Sequence, residues 1–114
     1  ISLCLFGILK CCIIDEFGNK EWRNSDGDLH RTDGPAIEWA NGTESWYWHG
    51  NLHREGGPAY TGRTGDKYWY RFHNLHRLDG PAIECVDGDK AWFIYGERYE
   101  PLAWLLKLHE LGAE

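Results

Sequence analysis

The stretch Gly42-Thr43-Glu44-Ser45-Trp46-Tyr47-Trp48-His49-Gly50-Asn51-Leu52-His53-Arg54-Glu55-Gly56-Gly57-Pro58-Ala59 decides how this chain folds, because Gly65 through Ala82 repeats it in register. Trp69-Tyr70 stands for Trp46-Tyr47, and Leu75-His76-Arg77-Leu78-Asp79-Gly80-Pro81-Ala82 stands for Leu52 to Ala59. An earlier unit from Gly18 carries Trp22 and Leu29-His30-Arg31-Thr32-Asp33-Gly34-Pro35-Ala36, with one extra residue between its Trp and its His. His30, His53 and His76 are therefore 23 residues apart, as are Pro35, Pro58 and Pro81. A fourth unit starts at Gly88 with Trp92-Phe93 and Gly96, but has Tyr99-Glu100 where His-Arg would fall and lacks Gly-Pro-Ala. Self-similarity at such a period means small supersecondary units that bury apolar surface only by stacking, and a degenerate last unit suits the end of an array.

Each unit carries two short segments of strand character. Ala36-Ile37-Glu38-Trp39-Ala40 and Ser45-Trp46-Tyr47-Trp48 flank Asn41-Gly42, a strong local hairpin signal that Asp87-Gly88 repeats between 82–86 and 91–94. Gly62 to Asp66 occupies the same place with two glycines, which predicts a looser tip in the middle unit. The Gly-Pro step before each first strand sets a turn and starts the strand where the missing proline N–H does no harm. Alternation along the strands predicts Trp46, Trp69 and Trp92 on one face as core, with Tyr47, Tyr70 and Phe93 on the other. Glu100 to Gly112 has Pro101 at a first-turn position, strong helix formers and a terminal Gly, so a helix is expected to cap the open edge. Its expected apolar stripe is Leu102, Leu105 and Leu106, with Leu108 and Leu111 as candidate extensions.

The predicted fold is thus mainly β: an elongated single-layer antiparallel sheet of successive 23-residue hairpins, closed by a C-terminal helix. Residues 1–17 read as a strand or cover segment, 18–99 as the repeat array with units near 18, 42, 65 and 88, and 100–114 as the capping helix. Seven Trp and an aromatic content of 15% exclude a disordered chain. A net charge of −6 argues against a general polyanion binder, because phosphate backbones need an excess of Lys and Arg. Cys4, Cys11, Cys12 and Cys85 contain no Cys-x-x-Cys pair, so free thiols of a reducing cytoplasm are expected, with no metal and no cofactor. Residues 1–14 are apolar, but Lys10 interrupts them and the run falls short of the ~20 residues a spanning helix needs.

The 23-residue period and the Gly-x-x-x-Trp-Tyr-x-x-Gly core resemble the MORN repeat, and the His-Arg-x-Asp-Gly-Pro-Ala variant resembles a form common in small proteins of bacteriophages and large DNA viruses. The resemblance covers Gly18 to about Tyr99. It implies an elongated, twisted sheet of hairpins used as a scaffold for protein contacts or, in some members, for lipids or dimerisation. Lipid headgroups need a net basic surface, which this chain lacks, so no membrane partner is expected.

His30, Arg31, His53, Arg54, His76 and Arg77 would stand in a row, and two readings of that row compete. In the first, each Arg pairs with the acidic residue close behind it: Arg31 with Asp33, Arg54 with Glu55 and Arg77 with Asp79. In the second, the row holds an anion such as a nucleotide signal beside Tyr47, Tyr70 and Phe93. An enzyme is not expected, since no nucleophile or paired carboxylate recurs near a His and no phosphate-cradling loop is present. The sequence instead suggests a non-enzymatic phage or viral protein of the host cytoplasm. It would bind and inhibit a host protein through Tyr47, Trp48, Tyr70 and Phe93, as in anti-defence (anti-CRISPR included) or host takeover. Direct nucleic-acid binding is not expected; nucleotide sequestration and self-association, homodimerisation included, are the alternatives.

Overall fold

The computed structural model describes residues 11–112. Its elements are β1 (Cys11–Ile14), β2 (Lys20–Arg23), β3 (Ile37–Glu38), β4 (Glu44–Ser45), β5 (Tyr47–Trp48), β6 (Asn51–Leu52), β7 (Tyr60–Thr61), β8 (Lys67–Tyr68), β9 (Tyr70–Arg71), β10 (Asn74–Leu75), β11 (Ile83–Glu84), β12 (Lys90–Ile94), β13 (Glu97–Tyr99) and α1 (Pro101–Leu111). The long antiparallel sheet has the order β1-β2-β3-β4-β7-β8-β11-β12-β13, and β5-β6 and β9-β10 form two further ribbons. The result is the expected mainly β, elongated array of hairpins with one C-terminal helix, with principal extents of 51 × 29 × 17 Å.

The four tips along one margin close in the same way. Asp15 N–H donates to Asn19 O, Trp39 N–H to Thr43 O, Gly62 N–H to Asp66 O and Cys85 N–H to Asp89 O, with Gly18, Gly42, Gly65 and Gly88 all at positive φ. The middle tip, expected to be looser, carries the same pair of bonds as its neighbours, so its extra glycine at 62 leaves the turn unchanged. Residues 11–14 pair with β2, so this part of the amino-terminal segment is a strand of the sheet; the rest of that segment expected as strand or cover, residues 1–10, lies outside the described residues.

Each full unit is two hairpins at one bend, where one straight hairpin was expected. The strand that begins at Glu44 pairs with β3 and β7 up to Ser45, turns at Trp46, and continues as β5 to pair with β6. The same break occurs at Trp69, between β8 and β9. The bend is held by main-chain bonds: Trp46 N–H donates to Ala59 O at 2.6 Å, and Trp46 O accepts from His53 N–H at 3.1 Å. Two-face alternation therefore does not run through the tryptophans. Ala36, Ala59 and Ala82 are fully buried beside the bends, where a larger side chain would find no room.

The second hairpins end in two-residue tips, His49-Gly50, Phe72-His73 and Tyr95-Gly96, with positive φ at both positions. That geometry matches the right-handed twist of the flanking strands. In the first unit the corresponding loop runs from Asn24 to Asp28 and absorbs the extra residue noted in the sequence, its Asn24 side chain accepting from the Asp26 and Asp28 N–H groups.

The helix starts at Pro101 and ends at Gly112, whose φ of 69° lets its N–H reach back to the last carbonyls. It buries Trp104 and Leu108 against Ile94, Leu78, Trp92 and Tyr99. The expected stripe is corrected here: Leu102, Leu105, Leu106 and Leu111 stay exposed, and Leu108 alone of the five leucines is buried. The reason is Trp104, whose indole N–H donates to Arg77 O at 3.2 Å and whose ring lies 6.4 Å from that of Trp92, setting the helix rotation.

Candidate functional site

The joint between units explains the repeated motif residue by residue. Arg31, Arg54 and Arg77 lay their guanidiniums over Trp22, Trp46 and Trp69, each 3.8 Å from the ring centroid. Each such stack contributes roughly 0.5–2 kcal/mol. Each arginine Nη1 donates to the carbonyl of the following proline, at 3.1 Å for Pro35, 3.2 Å for Pro58 and 3.0 Å for Pro81. The glycine of Gly-Pro-Ala is required for this: a Cβ on Gly34, Gly57 or Gly80 would stand 2.7–2.9 Å from the guanidinium carbon.

The histidines act on the next unit. Nδ1 of His30, His53 and His76 accepts the backbone N–H of His49, Phe72 and Tyr95, at 3.0, 3.1 and 2.8 Å. The ring of each tip residue lies against the same imidazole, 4.4, 4.2 and 4.0 Å between centroids. An accepting Nδ1 puts the proton of the neutral ring on Nε2. At His53 that nitrogen faces Glu55 at 3.5 Å; at His76, where Leu78 replaces the acid and joins the core, Nε2 is buried with no protein partner among the described residues. Burial, then His49, pushes the His30 pKa down, with Asp28 opposing; burial, then Arg71, pushes that of His76 down.

The expected pairing of each arginine with its acidic neighbour holds for Arg31–Asp33, 3.1 Å, and Arg77–Asp79, 2.7 Å. Both also reach a strand carboxylate, Glu38 at 3.0 Å and Glu84 at 2.8 Å, which the sequence reading had not joined to them. The Arg54–Glu55 pair does not form. Glu55 stands next to its arginine, at the position of Thr32 and Leu78, and not two residues on, where Asp33 and Asp79 stand; it faces His53 and lies 3.9 Å from Arg71.

The expected aromatic row is only partly brought together. A cleft of ≈ 430 Å³ is lined by Arg31, Thr32, Trp46, Tyr47, Trp48, His53, Arg54, Glu55 and Phe72. Tyr70 lies one unit on, in a smaller cleft of ≈ 220 Å³ with Arg54, Arg71, His76 and Arg77. Tyr47 and Tyr70 do share a wall with Trp39, Leu52, Tyr60 and Tyr68, whereas Phe93 sits apart beside Ile83, Lys90 and Arg98. Burial raises the pKa of Tyr47 and Tyr70, so both phenols remain protonated donors near neutrality. Phe72, 52% exposed at the cleft mouth, was missed in the sequence reading; its place in a primed two-residue turn carries no glycine signal. Among the described residues no cluster of His, Cys, Asp and Glu could hold a metal, and no helix is long and apolar enough to cross a membrane.

The geometry defines a β-hairpin repeat protein with clefts between its units. Compared with protein-family models, curated proteins and solved structures, the chain matches none.

Proposed function

We propose that this chain is a non-enzymatic interaction protein that binds a partner protein across the clefts between its hairpins. The observation that carries the reading is the repeated engagement of His and Arg in bonds within the chain, which makes these residues the frame of the joints. Groups spread evenly along an array do not converge on one reacting atom, as catalysis requires. What the frame presents is an aromatic wall of Tyr47, Trp48 and Phe72 around the cleft of ≈ 430 Å³, and such side chains supply much interface energy at low entropic cost. The resemblance of the repeats to the MORN type of phages and large DNA viruses extends the reading to inhibition of a host protein in the host cytoplasm, as an anti-defence or host-takeover function.

Self-association is the second reading, supported by Leu102, Leu105 and Leu106, which α1 leaves at the surface. Sequestration of a nucleotide signal is the third. Native mass spectrometry of the protein purified from host extract separates the three. A partner protein bound by the wild type and lost in Trp48→Ala is expected; a homo-oligomer alone, or a nucleotide-sized added mass, would replace the first reading by the second or third.

A further inference from the structure

The middle unit differs from its neighbours at one chemical feature. Arg31 Nε donates to Asp33 and its Nη1 to Glu38; Arg77 repeats both bonds with Asp79 and Glu84. At the two corresponding positions after Arg54 stand Gly56 and Thr61. Arg54 keeps its stack on Trp46 and its bond to Pro58 O, yet makes no ion pair among the described residues, and its Nε and Nη2 donate to none of them. Glu44 lies near enough to act on it electrostatically but forms no salt bridge with it.

The flanking units show what chemistry this position accepts. In both, a carboxylate sits on the Nε edge from the solvent side, with Asp33 and Asp79 side chains 55% and 84% exposed. The Arg54 guanidinium is held flat by the ring below it and by the approach of Gly57, so its planar donor edge is oriented before anything binds. We propose that Arg54 is a docking point for one acidic side chain of a partner protein, whose carboxylate takes the edge that Asp33 and Asp79 occupy in the neighbouring units. The apolar residue next to that acid lies in the adjoining cleft against Trp48 and Phe72. A singly charged carboxylate is favoured over a phosphate. Arg31 in the same cleft is already matched by two carboxylates, Glu44 and Glu55 are close by, and a multiply charged anion would meet Arg54 as the one arginine without an ion pair among the described lining residues of the cleft.

This inference rests on the interaction reading above, and its test is separate. In the full chain, the Nε–H resonance of Arg54 is followed by NMR during titration with acetyl-Asp-Leu-amide, acetyl-Asn-Leu-amide and inorganic phosphate. The Asp peptide is expected to shift the resonance saturably, and the Asn peptide to bind about tenfold more weakly or worse. Thr61→Glu supplies on Nη1 the carboxylate that Glu38 and Glu84 supply elsewhere, keeps every residue of the joint, leaves the Nε edge open but offsets the guanidinium charge, and is expected to weaken binding of the Asp peptide several-fold. Equal response to the two peptides, an unchanged response in Thr61→Glu, or tighter binding of phosphate than of the Asp peptide overturns the assignment. In the native mass spectrometry assay, a partner retained by Thr61→Glu as fully as by the wild type would overturn the carboxylate contact and leave the interaction reading standing.

Discussion

At the scale of single residues, the histidines tie this protein to pH. His30 and His76 offer Nδ1 as an acceptor to a backbone N–H, and protonation there would set a donor against a donor. Their folded pKa values lie below the ordinary 6.5, chiefly through burial. The unfolded chain therefore binds these protons first as pH falls. Stability from this source is complete above about pH 6.5 and is lost progressively below it, levelling off once the folded protein is protonated as well. The urea midpoint is expected to drop between pH 7.5 and pH 5, and the drop should shrink in the double variant His30→Gln, His76→Gln; an equal drop in both proteins would refute the assignment. The spacing of the His-Arg pairs was legible in the sequence, as was the pairing of Arg31 and Arg77 with the acids behind them. The place of Glu55 was not, because an acid one residue after the arginine instead of two faces His53 and Arg71, and Arg71 comes near it only in the folded array.

At the scale of elements, the second hairpin is the feature that local pattern concealed. Its tips at His49-Gly50 and Tyr95-Gly96 have glycine where φ is most positive, but Phe72-His73 has none, and His73 sits at φ 72°. A non-glycine residue in that region costs about 1–2 kcal/mol. His73→Gly is expected to raise stability by about 0.5–1 kcal/mol in urea unfolding, while Phe72→Gly, which removes the ring stacked on His53, is expected to lower it. A loss of stability in His73→Gly would show that the tip carries no such strain. The first hairpins were legible because Asn41-Gly42 and Asp87-Gly88 are strong turn signals between apolar segments. The bend at each tryptophan was not, since alternation continues through it in sequence and only the bonds to Ala59 O and Ala82 O interrupt the strand.

At the scale of the whole molecule, units touch their neighbours and the array must be closed at its end. Trp104 does this: in the last unit, which lacks the arginine that covers tryptophan elsewhere, the helix brings an indole near Trp92. Leu108→Ala is expected to cost about 2–4 kcal/mol, and Leu106→Ala less than about 0.5 kcal/mol. Equal costs in thermal or urea unfolding would mean that the helix is rotated from this placement. Sequence by itself determined the repeat period, the β class, the glycine-bearing tips and the presence of the helix, because each depends on residues within one unit or on its periodic recurrence. Tertiary structure decided which face α1 buries, where each strand bends and which arginine keeps an open edge. Those outcomes are set by contacts across units, where Trp104 meets Arg77 O 27 residues away and where a missing carboxylate at Gly56 and Thr61 matters only once both lie around Arg54.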